Sequence, residues 1–385
     1  MDADAVVHWT AEGRERTARW RSERGAAPPR SVVIADDTTK ADNAYALACQ
    51  GVALLWQGDF QNARQMLNAL ANRIDRKHRR QKGRSPSSPP KLLAEAFHLE
   101  RQARSQRART LGMLLIQLED DYGISLRRAP DLRQACSEAY GPAQGPALVS
   151  LRELLGVIGA HEWRRKGIEI PAVGGRIHPH YGVFAPIRSE YVDLVAQAPL
   201  PAAAASIDTA FDVGTGTGVL AAVLARRGIR RVVATDQDAR ALACARENIE
   251  RLGFADEVEV VQADLFPDGR ATLVVCNPPW IPARPSSPLE HGIYDPESRM
   301  LIAFLRGLAA HLAPGGEGWL ILSDLAEHLG LRARSELLAA FDAGGLKVIG
   351  RIDARPRHPR AFDSTDPLHA ARQAEVTSLW RLSAG

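Results

Sequence analysis

The chain is poor in sulfur and has no long apolar run. Its 385 residues include four cysteines, Cys49, Cys136, Cys244 and Cys276, and four methionines. The cysteines are scattered, with neither Cys-x-x-Cys pairing nor metal-ligand spacing. That pattern gives no support to a disulfide framework or a cysteine-built metal site and predicts reduced core thiols. No stretch approaches the roughly 18 apolar residues needed to cross a bilayer, so no membrane segment is expected. The opening residues, MDADAVVHWTAEGRERTARW, lack a basic region followed by an apolar one. No secretory leader is expected, and a cytoplasmic location is. Hydrophobic residues make up 45% of the chain, ample for a buried core. The length suits two or three domains.

The net charge of +4 is unevenly spread. Residues 1–170 hold 27 Lys and Arg against 20 Asp and Glu, and the remainder holds 22 against 25. Between Arg73 and Arg109 there are 12 basic residues against 3 acidic ones. Such a stretch is either a solvated face or a surface for nucleic-acid phosphates.

Residues 1–168 are expected to form a mainly α-helical domain. Apolar spacing through Ala44, Leu47, Ala48, Gly51, Leu54 and Leu55, a break at Gly58-Asp59, and a second run through Ala63, Met66, Leu67 and Leu70 predict a helical hairpin at about 42–72. The hairpin resembles one tetratricopeptide repeat, and no second copy follows to stack on it. Ser31–Ala35 has the composition of a strand. A Pro/Ser-rich loop is expected at 83–91 and one long helix over 91–121. Gly123–Pro146 is turn-rich, and Leu148–Gly159 reads as a short helix.

From residue 169 the pattern changes to short apolar, β-branched runs alternating with helical segments. Strands are predicted at Thr209–Val213, Arg231–Thr235, Val258–Gln262, Ala271–Cys276, Gly318–Leu322, Leu346–Ile352 and Val376–Leu382. Continuously apolar strands suit a parallel sheet covered on both faces. The expectation for 169–385 is thus a seven-stranded, doubly wound α/β domain.

The first of these strands runs into Asp212-Val213-Gly214-Thr215-Gly216-Thr217-Gly218, and a helix starts at Val219. Strictly alternating glycines at a strand-to-helix turn remove Cβ atoms where a ligand must lie against backbone. Position 219 is valine, so the dinucleotide fingerprint G-x-G-x-x-G is not met. The second strand ends at Asp236, where a carboxylate is placed to accept both hydroxyls of a ribose. The third leads into Asp264-Leu265.

The fourth strand ends in Asn277-Pro278-Pro279-Trp280. The residue types suit one kind of chemistry. The lone pair of a planar NH2 is delocalised, so the group is a poor nucleophile. The side-chain oxygen of Asn277 and the carbonyl of Pro278 can accept its two hydrogens and turn the lone pair toward an electrophilic methyl. The prolines stiffen the loop and remove backbone donors. Trp280 can stack on a flat substrate. Upstream, His178-Pro179-His180 carries no third metal ligand nearby, so loop histidines are expected and no metal.

The order of these elements resembles the S-adenosylmethionine-dependent methyltransferases of the Rossmann-like class. Asp212–Gly218 resembles their motif I, and Asn277–Trp280 resembles the (N/D/S)-P-P-(Y/F/W) motif of those acting on amino or amide nitrogens. Segment 177–190 resembles the cover over the methionine end of the cofactor in the HemK-like release-factor glutamine methyltransferase group. The resemblance implies S-adenosylmethionine as cofactor. It implies cofactor contacts by Asp212, Gly214, Thr215, Gly216, Gly218, Asp236, Asp264, Leu265, Phe184 and Pro186, with Arg188 and Glu190 as further candidates. It implies a catalytic role for Asn277, Pro278, Pro279 and Trp280. Trp280 departs from the tyrosine usual in the HemK-like group, and residues 1–168 do not resemble that group's small helical domain. The acceptor stays open between a base amino group in RNA or DNA, a protein glutamine and a small molecule. A non-catalytic scaffold that binds the cofactor is a further alternative.

Overall fold

The computed structural model describes residues 5–84, 93–187, 189–201, 208–356, 366 and 368–385, with side chains left undescribed at 78–84. The Pro/Ser-rich run at 85–91 and Arg188 lie outside these residues. The chain divides into two compact units, Met1–Lys91 with His98–Glu162, and Leu92–Phe97 with Trp163–Gly385. Among the described residues no helix is long and apolar enough to cross a membrane.

The first unit contains β1 (Val6–Ala11), β2 (Arg14–Arg21), β3 (Ser31–Ala35), α1 (Ala41–Cys49), β4 (Val52–Trp56), α2 (Phe60–Arg84), α3 (Leu93–Leu111), β5 (Leu114–Leu118), α4 (Arg133–Tyr140), β6 (Ala147–Ser150) and α5 (Leu151–Lys166). Helices α3 and α5 each have residues in both units. The mainly helical expectation is corrected here. Six strands form one sheet in the order β1-β2-β6-β5-β4-β3. The expected repeat-like hairpin is α1, strand β4 and α2. Leu54, Leu55 and Trp56 are almost fully buried, and β4 pairs in parallel with both β3 and β5. A five-residue apolar run buried on both faces has no period that separates strand from helix, so pairing decides. For the same reason the helix expected over 91–121 ends at Leu111, and Leu114–Leu118 becomes β5. The helix expected from Leu148 starts three residues later, after β6.

The basic stretch is partly neutralised within the first unit. Arg73 pairs with Asp42 at 2.7 Å and Arg107 with Asp75 at 3.1 Å, while Arg104 pairs with Glu100 one turn away. Exposed pairs of this kind contribute little stability, yet they reduce the field available to a phosphate backbone.

The second unit opens with the small hairpin β7 (Ile168–Ile170) and β8 (Gly175–Ile177) and α6 (Glu190–Gln197). It continues through β9 (Thr209–Val213), α7 (Val219–Arg226), β10 (Arg231–Asp236), α8 (Ala239–Leu252), β11 (Val258–Gln262), β12 (Ala271–Cys276), α9 (Arg299–His311) and β13 (Leu312–Ser323). It closes with α10 (Leu325–His328), α11 (Arg334–Ala343), β14 (Leu346–Ala354), α12 (His369–Ala374) and β15 (Thr377–Ala384). Seven strands form one sheet in the order β11-β10-β9-β12-β13-β15-β14. The first five are parallel, and β15 runs antiparallel between β13 and β14.

Alternate side chains of these strands enter two cores. Ala210, Val232, Ala234, Leu273 and Val275 pack with α6 and α7 on one face. Phe211, Val213, Val233, Val274 and Cys276 pack with α9 and α11 on the other. This two-sided burial explains why the strands read as unbroken apolar runs.

Candidate active site

The sheet of the second unit reverses direction of growth at β9. Strands β10 and β11 are added on one side of it, β12 and β13 on the other. Ligands of open α/β sheets bind outside the carboxyl ends of the strands at such a switch point. Val213 at the end of β9 is the register partner of Cys276 at the end of β12 and of Thr235 in β10. The glycine turn, Asp236 and Asn277 therefore leave neighbouring strands at one edge, with strands about 4.8 Å apart.

The glycine turn is held from below by backbone. Gly214 and Thr215 donate to the Thr235 carbonyl at 2.9 and 2.8 Å, and Gly218 donates to Thr215 at 2.9 Å. Two glycines are required for distinct reasons. Gly218 (φ +81°) packs so closely on α8 that a Cβ would stand 3.1 Å from the Cα of Ala245. Gly216 (φ +55°) has no neighbour within 4 Å of where a Cβ would be, so its open side is available to a ligand.

Two carboxylates brace this turn. Asp236, half-buried, accepts from the Gly216 N–H at 3.0 Å and from the Asp238 N–H at 3.0 Å. Burial raises its pKa against those hydrogen bonds. Asp212 is almost fully buried. One of its oxygens accepts from the Thr215 hydroxyl at 2.6 Å and from the Ala221 N–H at 3.0 Å. The other, Oδ1, has no partner among the described residues. Burial, reinforced by the charge of Asp236, pushes Asp212 up to about 6 despite the two hydrogen bonds. A buried carboxylate oxygen without a donor is costly unless a ligand supplies one. An ammonium or hydroxyl group in the turn would do so, which fits the amino acid end of S-adenosylmethionine.

Asp264 is exposed and takes a hydrogen bond from the side chain of Gln237. Leu265 has φ +73°, and its carbonyl accepts from the Thr235 hydroxyl at 2.5 Å. A leucine in the left-handed region is strained, and such strain clusters at ligand clamps. Pro186 is buried, and Phe184 is half-buried. The Phe184 Cβ would lie 2.6 Å from a Cβ at Gly292, so the expected lid packs on the loop that follows the Asn-Pro-Pro-Trp motif.

His178 and His180 hold that segment onto α8. The His178 N–H donates to Asn248 at 2.7 Å, and His180 Nε2 meets Glu247 at 2.7 Å. Arg164 and Arg251 also reach Glu247. Partial burial works to raise Glu247, but the hydrogen bonds from Arg251, His180 and Arg164 outweigh it and leave it at about 2. Among the described residues there is no group of three or more side chains placed to hold a metal.

In the acceptor motif Pro278 is buried, while Asn277, Pro279 and Trp280 are half-buried. The Pro278 carbonyl accepts no hydrogen bond among the described residues, which leaves it available. Trp280 packs against the clusters on both faces of the sheet and against a third built from Phe97, Ile281, Leu325, Leu329, Leu368 and Ala371. Its indole N–H donates to Asn277 Oδ1 at 2.9 Å. The motif is tied to α9 by Asp295, whose N–H donates to the Ile281 carbonyl at 2.9 Å and whose carboxylate accepts from the Met300 and Leu301 N–H groups.

Sequence patterns did not single out Asp295, Met300 or Arg332. Met300 Cε would lie 2.7 Å from a Cβ at Gly214, so α9 starts over the glycine turn. Arg332 is buried, donates to the Ser298 hydroxyl at 3.3 Å, and has Nε and Nη2 unpartnered among the described residues. Two consecutive non-glycine residues in the left-handed region, Glu297 and Ser298, form the turn it touches. Only the Asp-Pro pair at 295–296, a common helix opening, hinted at this turn.

Residues 175–333 match the family model described as Methyltransferase small domain. This part of the second unit is thus similar to methyltransferase domains, a class whose cofactor is S-adenosylmethionine. The chain is 41% identical over 146 residues to the ribosomal protein L11 methyltransferase of Pelotomaculum thermopropionicum, covering 37% of this chain and 39% of that one. It is 34% identical over 164 residues to the release factor glutamine methyltransferase of Cereibacter sphaeroides, covering 39% and 57%. It is 42% identical over 74 residues to a tRNA1(Val) (adenine(37)-N6)-methyltransferase of Parabacteroides distasonis, covering 18% and 31%. The chain thus spans less than three fifths of each of these relatives.

Proposed function

We propose that the chain is an S-adenosylmethionine-dependent N-methyltransferase acting on a planar amide or amino nitrogen of a macromolecule. The observation that carries this reading is the register of Val213 with Cys276. It starts the glycine turn and the Asn-Pro-Pro-Trp motif side by side at the switch point, where a methyl donor and an acceptor nitrogen must meet. The bound cofactor supplies the electrophilic methyl.

The chain's own residues do the rest. Asp236 accepts the ribose hydroxyls and at the same time holds the Gly216 N–H. Leu265 and Asp264 flank the adenine, and Phe184 and Pro186 exclude water from the methionine end. Asn277 Oδ1 and the Pro278 carbonyl accept the two hydrogens of the acceptor NH2 and aim its lone pair. No strong base is needed, because the methylated nitrogen would carry a positive charge and be acidic enough to give its proton to solvent water. The relatives named above act on ribosomal protein L11, a release-factor glutamine and a tRNA adenine, all macromolecular acceptors.

Equilibrium dialysis of labelled S-adenosylmethionine against the purified chain tests the cofactor half of the reading. Saturable binding, one per chain, is expected, and no binding would refute it. The pH dependence has a defined sign. Free Asp212 titrates at about 6, above its ordinary 3.8, because it is buried. A cationic group of the ligand favours the ionised carboxylate and lowers this value on binding. Affinity should therefore rise with pH through about 6 and level off above it, falling roughly tenfold per unit at lower pH if one proton is linked. Asp212→Asn should flatten the profile. A profile equally steep in both proteins would contradict the assignment.

A further inference from the structure

We propose that Trp280 is a positioning residue whose indole N–H fixes which end of the Asn277 amide faces the acceptor nitrogen. The proposal rests on the methyl-transfer reading above. An asparagine side chain presents an acceptor at one end and two donors at the other, and a half-turn about its last bond exchanges them. Only the oxygen can receive a hydrogen from an NH2 group. With the amide reversed, the acceptor nitrogen would meet two N–H groups and be repelled.

The 2.9 Å bond from Trp280 Nε1 is the single hydrogen bond on the Asn277 side chain among the described residues. Indole nitrogen is a donor only, so this contact admits one amide orientation. The carbonyl oxygen keeps a second lone pair for the substrate. The donor is positioned by packing, because the half-buried ring lies against three apolar clusters. A phenylalanine or tyrosine at this place can stack on a flat acceptor, but neither carries an N–H at the position of Nε1. Trp280 therefore does something its aromatic face alone does not explain.

The experiment has a spectroscopic and a kinetic part. In protein with 15N-labelled tryptophan, the Trp280 indole N–H is assigned as the signal, among seven tryptophans, that is lost in Trp280→Phe. Asn277→Ala should move that signal and speed its exchange with solvent. An unmoved signal would overturn the contact.

For turnover, labelled S-adenosylmethionine and the fraction of cell extract that accepts label serve as substrates. Trp280→Phe should lower the rate at saturation roughly tenfold, the scale of one neutral hydrogen bond, while the half-saturating amount of extract stays unchanged. Asn277→Asp replaces the amide with a group that accepts at both ends and so cannot be misoriented. In that background Trp280→Phe should cost about twofold or less, a coupling read as a double-mutant cycle. An equal loss in both backgrounds would mean that Trp280 only packs. An inactive Asn277→Asp protein would also contradict the proposal, since the amide's donors would then matter. A wild-type protein that transfers no label would instead sink the functional reading, whatever the indole signal shows.

Discussion

Replacing Asn277 with alanine is expected to cut methyl transfer by about 10²-fold or more while leaving S-adenosylmethionine binding nearly unchanged. The magnitude is that of removing one preorganised polar group from a developing charge in a water-poor site. The separation of effects follows from the fold. Asn277 leaves β12, while Asp236 and the glycine turn leave β10 and β9. Its side chain bonds to Trp280 and to none of the cofactor-turn residues. The substitution removes an acceptor from a half-buried position and leaves the Trp280 N–H unpartnered, so a modest loss of stability accompanies the kinetic one. Single-turnover rates together with dialysis distinguish the two. A variant that loses cofactor affinity in proportion to turnover would mean that Asn277 belongs to the cofactor site.

The second large effect is expected at Asp236. Asp236→Ala should weaken S-adenosylmethionine binding by about 10²- to 10⁴-fold, since two hydrogen bonds to a charged acceptor are each worth roughly 1.5–3 kcal/mol. Binding would then fall below detection at ordinary concentrations. A second loss adds to the first, because the same carboxylate holds the Gly216 N–H at 3.0 Å and so shapes the turn. Asp236→Asn keeps one acceptor oxygen and should retain measurable binding. Asp236→Ala also removes the acceptor of the Gly216 and Asp238 N–H groups, so a loss of stability must be separated from the loss of affinity. Calorimetric titration of wild type and both variants, with melting curves as a control, would check this. Wild-type affinity in Asp236→Ala would remove Asp236 from the cofactor site.

Much of the second unit was legible because its signals are local. Three of the parallel strands, β9, β10 and β12, are short apolar runs that lead into chemically distinctive residues, Asp212-Val213 before the glycines, Asp236, and Asn277. The first unit was misread because its strands β4 and β5 are equally apolar but sit directly against helices. A single glycine, Gly51 or Gly112, marks each junction. Helical spacing continues across those junctions by chance, and only pairing with β3 and β6 breaks it. The basic stretch looks nearly uniform in sequence, whereas Asp42 and Asp75 neutralise part of it through contacts that sequence distance conceals, and Glu100 does so from one helical turn away.

Within the site, the turn residues and the acceptor motif were readable, but their joints were not. The Asp236–Gly216 bond, the Met300 contact over Gly214 and the Asp295 link to Ile281 all depend on tertiary placement. Trp280 shows the same limit in one residue. Its type suggested a stacking face, and its position reveals a donor aimed at Asn277.

The proposed reaction at this edge of the sheet is transfer of a methyl group to a planar nitrogen. It is tested most directly by incubating labelled S-adenosylmethionine with fractionated cell extract and either wild-type protein or Asn277→Ala. Label that enters protein, RNA or DNA only with wild type is the expected result, and the labelled fraction identifies the acceptor class. Equal labelling by both proteins, or none in any macromolecule, would contradict the account.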